Sequence, residues 1–478
     1  MIIVQNLPVP LDRRVWLECQ ALVKAGYDVS VICPKGPGDP SRQTLDGVDI
    51  YKYRPAPPAS GLLGYAEEFA YSWLRTAWLS LRVWRKRPFQ VIQACNPPDT
   101  YWLLGRLWRR PGVRFVFDQH DLNPELFLSR FGKPRSVGKR LQLKALLWLE
   151  RMTYRTADHV ISTNESYKRI AVERGGVPAT EVTVVRSGPD TQVMRPLYPD
   201  GQSTRTATHE LVYLGIMGPQ DGVDNILEVM RELVQRRHRT DVHATLLGFG
   251  DCLEDLRRAA TQMSLDDAVT FTGRADKEMV ADHLSAADIG LSPDPKNPLN
   301  DVSTMNKTME YMAYALPSVS FDLVETRVSG EDTVLYVPSG DVAGFADAVE
   351  RLLDDPDLRV DLGLRARARV AEHLDWRPQA EAYVGAYDAL TGSTARRGAG
   401  PAPDELATPA ADDRGRRLVD LTDPAELRRF VRERSAPALT TGRHRAAGAT
   451  SSFPLPRTPG SPAGRPSTRQ TERTGVKP

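Results

Sequence analysis

Short apolar runs alternate along this chain with longer stretches in which apolar residues recur every three or four positions. The runs Met1–Val4, Tyr27–Cys33, Gly47–Tyr53, Val91–Cys95, Val113–Asp118, His159–Thr163 and Val182–Val185 are largely apolar, as strands buried on both faces require. Helical periodicity predicts helices over Arg13–Ala25, near Leu62–Arg87, near Thr100–Arg110, over 137–156 and near Glu165–Arg174. Strand followed by helix, repeated, predicts a parallel, doubly wound sheet.

Residues 191–209 interrupt the pattern with a polar stretch carrying Pro196, Pro199 and Gly201, read here as a linker between domains. The alternation then restarts. Strands are expected at Leu211–Gly215, Val242–Leu247, Val269–Thr272, Ile289–Ser292, Ser318–Phe321 and Val334–Val337. Helices are expected at Val223–Arg236, Cys252–Gln262, Thr304–Tyr314, Val342–Leu353 and near Arg377–Leu390. The α/β organisation is therefore two Rossmann-like, doubly wound domains, 1–190 and 210–392, facing a cleft. Beyond them, only 11 of the 86 residues 393–478 are large apolar types, too few to offset ordering entropy, so this basic tail is expected to be disordered. One stretch breaks that character: Asp423–Arg434 has Pro424 in a first-turn position and Leu427, Phe430 and Val431 on one face, as a short docking helix would.

The 478 residues suffice for two large domains, and 41% hydrophobic residues is an ordinary globular composition. Four cysteines stand singly, without a Cys-x-x-Cys pair, which argues against a zinc ribbon, an iron–sulfur cluster and a disulfide framework. No apolar run is long enough to span a bilayer and the first residues read as a strand, so the expected location is cytoplasmic. The net charge of +2 hides a segregation. Residues 1–190 hold 28 Lys and Arg against 18 Asp and Glu, a net of +10. Residues 191–392 hold 19 against 34, a net of −15, and 393–478 hold 16 against 9, a net of +7. The two halves are built to meet different partners.

In open parallel sheets ligands bind at the carboxyl ends of the strands. The stretch Ser303-Thr304-Met305-Asn306-Lys307-Thr308-Met309-Glu310 lies in such a place. Ser303 or Thr304 suits a helix N-cap, and Met305, Met309, Met312 and Ala313 suit the buried face. Lys307 and Glu310, three apart, share a face. A helix N-terminus with an adjacent lysine suits a diphosphate, and a carboxylate one turn deeper suits a ribose diol. The same residues equally suit a capped helix with a surface ion pair.

Lys307-x-x-Glu310-Tyr311-Met312-Ala313, followed by Leu316-Pro317 and a strand, resembles the carboxyl-domain signature of the family 4 glycosyltransferases of the GT-B fold. Other stretches resemble that family in the same order. They are Val4-Gln5-Asn6 through Asp12-Arg13-Arg14-Val15, Asp118-Gln119-His120-Asp121-Leu122-Asn123-Pro124-Glu125, Ser187-Gly188-Pro189-Asp190, Gly248-Phe249-Gly250 and Phe271-Thr272-Gly273-Arg274. The resemblance covers about 1–392.

The resemblance implies retaining transfer of a sugar from a nucleotide sugar to an acceptor, with no metal and no other cofactor. On that basis Glu310 binds the donor ribose, and Lys307 with the amides of Ser303, Thr304, Met305 and Asn306 binds the diphosphate. Gly218, Gly222, Gly248 and Gly250 allow close backbone approach to the donor, and Arg274 lies near the base. His120 lies near the reacting sugar as a positioner or hydrogen-bond donor, with Asn6, Arg13, Arg14, Asp118 and Asp121 on the acceptor or diphosphate side. Three positions depart from the family pattern. Val302 stands where a first Glu is usual, and Ile216 and Asp221 stand where an Arg and a Lys are usual. The missing charge is then expected from Lys307 and from Arg13 or Arg14. The loop Asp294-Pro295-Lys296-Asn297-Pro298 is expected to shape the donor-sugar pocket.

The stretches Leu62–Arg87, Leu103–Arg110 and Arg130–Arg155 interleave tryptophans and leucines with Lys and Arg, which suits an anionic membrane surface on the inner face of the cell membrane. The same pattern suits helices packed on a sheet with basic outer faces. A glycan or lipid-linked acceptor, such as a cell-envelope or capsule intermediate, fits a basic first domain. No nucleic-acid-binding module is present. Two other readings share the fold: a sugar-nucleotide epimerase, which needs an acid/base pair, and a nucleotide-binding protein that has lost its chemistry.

Overall fold

The computed structural model describes residues 1–56, 61–198, 205–393, 411–412 and 414–435. The first sheet is built from β1 (Ile2–Ile3), β2 (Val29–Pro34), β3 (Arg42–Leu45), β4 (Val48–Tyr53), β5 (Val91–Cys95), β6 (Arg114–Gln119), β7 (His159–Ser162) and β8 (Val182–Val184). Its order is β3-β4-β2-β1-β5-β6-β7-β8, parallel throughout except for the β3–β4 hairpin. The second sheet is built from β9 (His209–Leu214), β10 (Val242–Leu247), β11 (Val269–Gly273), β12 (Ile289–Ser292), β13 (Ser318–Phe321) and β14 (Val334–Val337), in the order β11-β10-β9-β12-β13-β14, all parallel. Every residue of β5, β7, β10, β12 and β13 is buried, which is why these segments read as unbroken runs rather than alternations.

Strand order reverses in each sheet at its first strand. β1 pairs with both β2 and β5, and β9 with both β10 and β12. The loops leaving the carboxyl ends of these strands diverge and leave a crevice, the usual ligand position in an open α/β sheet.

The sheets are covered by helices at the expected places, with four additions: Asn123–Phe131, Lys277–Ala286, Val324–Gly330 and Pro356–His373. The stretch expected as one helix, Val223–Arg236, is α-helical over Val223–Arg231 and widens to a π-helical turn over Glu232–Arg236. The helix Trp376–Thr391 returns to the first sheet. Its Trp376, Tyr383, Val384, Ala386 and Tyr387 close a core with Val15, Cys19 and Leu22 of the helix Arg13–Lys24.

Residues 414–435 depart from the disorder expected of 393–478, at the stretch read from sequence as a short docking helix. The helix Pro424–Ser435 lies against Pro356–His373, and Phe430 and Val431 are buried with Ala315, Val360 and Val419. Burial of this apolar face supplies what the remainder of the tail lacks. Arg434 is enclosed and donates to the carbonyls of Tyr314 and Ala315, at the end of the helix Asn306–Ala313. Residues 394–410 and 436–478 of the expected tail, and 199–204 of the expected linker, lie outside the described residues. Among the described residues no helix is long and apolar enough to cross a membrane.

Candidate active site

In the first domain the crevice is lined by a buried charge network. Asp118, near the end of β6, is fully buried, and its Oδ2 accepts from His120 Nε2 at 2.7 Å and from Gln93 Nε2 at 2.9 Å. Its Oδ1 faces Arg14 Nη2 at 3.1 Å. Arg14 also places Nε 3.0 Å from Glu18 Oε1 and donates through Nη1 to Val185 O at 2.8 Å and Ser187 Oγ at 2.9 Å. His120, at 16% side-chain exposure, brings this network to the surface of the crevice. Asn96 holds the His120 backbone, its Oδ1 accepting from the amides of His120 at 2.7 Å and Asp121 at 3.1 Å. Asp99 in turn fixes Asn96, accepting from its Nδ2 at 3.0 Å.

The proton positions follow from the charges. Burial alone would raise the Asp118 pKa, but His120 and Arg14 overcome it and hold this carboxyl well below the usual range. Burial alone would lower His120, but Asp118 outweighs it and the imidazole is pushed up to about 9. Burial, with Asp118 beside it, raises the Glu18 carboxyl. Ionised Asp118 can only accept, so His120 Nε2 carries a proton and donates to it. Arg14 Nε, 3.2 Å from the same nitrogen, is then a contact rather than a hydrogen bond.

Glu18, Cys95, Asp118 and His120 put one ligand-type atom each within 4.8 Å of one another. The Arg14 guanidinium lies against both carboxyl groups and His120 is protonated beside Asp118, so a metal cation there would meet two positive groups. Arg14 is likewise not available to a diphosphate, contrary to the expectation from sequence: its donors are committed inside the first domain.

In the second domain the loops after β9 and β12 press together. Gly222 has φ +64°, and a Cβ there would stand 2.4 Å from Pro293 O. A Cβ on Gly248 would stand 1.8 Å from Gly215 O. Only glycine permits either approach. Lys307 Nζ sits among these loops, 2.5 Å from Asp294 Oδ1 and 5.2 Å from the centroid of the Tyr213 ring. Both side chains of the ion pair are enclosed, at 8% and 2% exposure, and Asp294 Oδ2 has no partner. Asp221 accepts from Gly218 N at 2.8 Å, and burial raises its carboxyl to about 6 against the pull of Lys307. Arg274 stacks over the half-exposed Phe249, 5.3 Å from the ring centroid.

The helix that carries Lys307 and Glu310 spans Asn306–Ala313, two residues later than the expected start. Its N-cap is Met305 and no side chain caps it, so neither Ser303 nor Thr304 is the cap. Both are drawn instead to the first domain. Thr304 Oγ1 accepts from Asn164 Nδ2 at 3.0 Å, and Ser303 Oγ lies 2.9 Å from Tyr167 Oη. Met309, Met312 and Ala313 are buried as expected, and Met305 is half-buried.

Glu310 is 14% exposed and pairs across the cleft with Arg13, which is 50% exposed. Ser129 Oγ donates to Asn297 Oδ1 at 2.7 Å on the other side. Val302 packs with Leu122, Tyr167 and Leu299, so the position of the usual first Glu is given to apolar contact between the domains. Asn6 is exposed and Asp121 half-buried, with its carboxyl raised by burial. The structure thus pairs Arg13 with Glu310 across the cleft and joins Ser303 and Thr304 to Tyr167 and Asn164 in a separate contact between the domains. It places Lys307, Gly218 and Gly222 in one domain, and gathers His120, Arg14 and Asp118 in the other. Glu18, Gln93, Asn96, Asp99, Asn164, Tyr167 and Tyr213 are participants that the sequence reading did not single out.

Comparison with known proteins follows the same division. Residues 11–188 match the model of the Glycosyl transferase 4-like domain, and residues 208–355 match that of Glycosyl transferases group 1. A D-inositol 3-phosphate glycosyltransferase of Kineococcus radiotolerans is 27% identical over 334 residues, 63% of this chain and 73% of the relative. A sucrose-phosphate synthase from Thermosynechococcus elongatus superposes with a TM-score of 0.65 at 20% identity, covering 82% of this chain and 98% of its own. HepE of Anabaena, solved in complex with UDP-glucose, superposes with a TM-score of 0.59 at 14% identity, covering 82% and 99%. With one matched segment on each sheet and the structural neighbours sharing this two-sheet fold, the chain is a glycosyltransferase and belongs to family 4 of the GT-B fold.

Proposed function

We propose that this enzyme moves a sugar, with retention of configuration, from a uridine diphosphate sugar to a glycan or lipid-linked acceptor of the cell envelope at the inner face of the membrane. The observation that carries the donor half is Lys307, enclosed with Asp294 among the loops after β9 and β12 and one residue inside an uncapped helix N-terminus. The UDP and UDP-glucose complexes of the structural neighbours support a uridine nucleotide. As the glycosidic bond breaks, negative charge builds on the diphosphate. The Lys307 ammonium and the first-turn amides stabilise it where it forms. The departing phosphate oxygen takes the proton of the acceptor hydroxyl, whose oxygen forms the new bond on the same face of the sugar. His120, protonated and held by Asp118, donates to a sugar hydroxyl. Glu310 exchanges Arg13 for the ribose diol.

The acceptor half rests on the basic first domain and its exposed apolar side chains. Leu74, Trp78, Leu81, Leu103 and Leu107 are exposed, and Arg75 and Arg82 flank Trp78. A second reading, a nucleotide-binding protein without turnover, is favoured by one observation: the usual basic positions hold exposed Ile216 and a carboxylate, Asp221.

The deciding experiment measures UDP release from UDP-sugars with and without a membrane lipid extract, and the mass of any product. Acceptor-dependent release supports transfer. Tight UDP binding without release supports the second reading. Glu310→Ala is expected to weaken UDP binding, and Lys307→Ala chiefly to slow turnover about 100-fold. Unchanged kinetics in both variants reject the site.

A further inference from the structure

The returning helix Trp376–Thr391 reaches the charge network of the first domain through one residue, Gln93 of β5. Gln93 is fully buried, and its amide is saturated. Nε2 donates to Asp118 Oδ2 and to Glu18 Oε2, each at 2.9 Å. Oε1 accepts from Tyr383 Oη at 2.7 Å and from Tyr387 Oη. The amide has one workable orientation. Asp118 only accepts, so the NH2 must face the carboxylates, and the two hydroxyls then have the carbonyl as their acceptor. Asp118 Oδ2 also receives His120 Nε2. A continuous buried chain therefore runs from the last helix of the second domain to the side chain at the cleft.

We propose that Tyr383 and Tyr387, acting through Gln93 and Asp118, are positioning residues that fix the His120 ring toward the donor sugar. The proposal rests on the reading that His120 meets that sugar. The charged groups facing the ring are Asp118, Arg14, Glu18, Asp12 and Asp121, and none belongs to the returning helix. The helix acts only by orienting the amide. Either hydroxyl alone still gives the Gln93 carbonyl a partner. Removing both leaves it buried and unsatisfied, the amide loses its fixed orientation, and Asp118 is no longer held at the ring.

The test uses the full chain with carbon-labelled histidine, the His120 signal among the eight histidines being identified by its loss in His120→Gln. Wild-type His120 is expected to titrate near 9 and to show a slowly exchanging Nε2–H resonance. Tyr383→Phe and Tyr387→Phe singly are expected to leave both features in place. The double variant is expected to lose the resonance and to lower the midpoint by about half a unit, because the Asp118 attraction weakens with distance. It is also expected to lower kcat for UDP-sugar turnover about tenfold with KM unchanged. A double variant that melts lower but keeps the wild-type resonance and midpoint overturns the proposal, since the tyrosines are then merely structural. A changed resonance and midpoint with unchanged turnover overturns instead the reading of His120, because the titration needs no substrate.

Discussion

Replacing Asp294 with Asn separates two jobs of the enclosed Lys307. Without donor, Asp294 neutralises the ammonium at 2.5 Å, and both side chains are nearly sealed from water. The amide of Asp294→Asn keeps an acceptor but loses the charge. The loss should cost about 1.5–3 kcal/mol, the range for a hydrogen bond to a charged group. For domains of this size that lowers Tm by about 3–12 °C. The nucleotide is affected in the opposite sense. A diphosphate that approaches Lys307 must share it with a carboxylate of like sign. Two unit charges about 5 Å apart repel by roughly 1.5–2 kcal/mol at an effective dielectric constant near 40. Asp294→Asn is therefore expected to bind UDP about tenfold more tightly than wild type while being less stable without it. Calorimetric titration with UDP and melting curves with and without it give both quantities. At one UDP concentration well above both Kd values the gap in Tm should narrow, because a tenfold lower Kd stabilises the variant by about 1.4 kcal/mol more than wild type. Equal or weaker UDP affinity in the variant would refute the competition between Asp294 and phosphate for Lys307.

Stability should respond to pH through His120. Its folded pKa of about 9 stands above an unfolded value near 6.5, so its contribution is complete below about pH 6.5 and is lost as pH rises through 9. That contribution is at most about 3 kcal/mol, shared with Asp118. His120→Asn is expected to flatten the fall in Tm between pH 7 and 9.5, and superimposable profiles would refute it. Arg434→Met removes the donors to Tyr314 O and Ala315 O and leaves two buried carbonyls. It is expected to destabilise the second domain by about 2–4 kcal/mol, read as a lower Tm.

What could be seen in the sequence follows from how local its cause is. The buried strands declare themselves because a short unbroken apolar run between turn residues suits little besides a strand covered on both faces. β3 escapes notice because Arg42–Leu45 is a short edge strand, largely exposed, with no apolar face to pattern it. The helix Pro356–His373 escapes for the opposite reason. Two of its buried positions are Arg359 and Arg367, which break the apolar periodicity. They are tolerated because Arg359 donates to Leu352 O and Leu353 O, and Arg367 to Ala313 O and Thr191 O. Lys307 and Glu310 are legible because three residues of spacing place them on one helix. The Glu18–Gln93–Asp118 network is not, because no spacing rule connects a glutamine to a tyrosine 290 positions away. The expected cap at Ser303 or Thr304 fails for a related reason, since contacts with Asn164 and Tyr167 of the other domain outcompete it.

The closure of the first core by Trp376, Tyr383, Val384, Ala386 and Tyr387 has a consequence for synthesis. On the ribosome, the strands of the first half emerge with the apolar groove around Val15, Cys19 and Leu22 uncovered, and it stays uncovered until the whole second half has followed. For the same reason, a chimera that exchanges the first half with a relative's must carry the matching helix Trp376–Thr391 along, because that helix and the first half form one folding module.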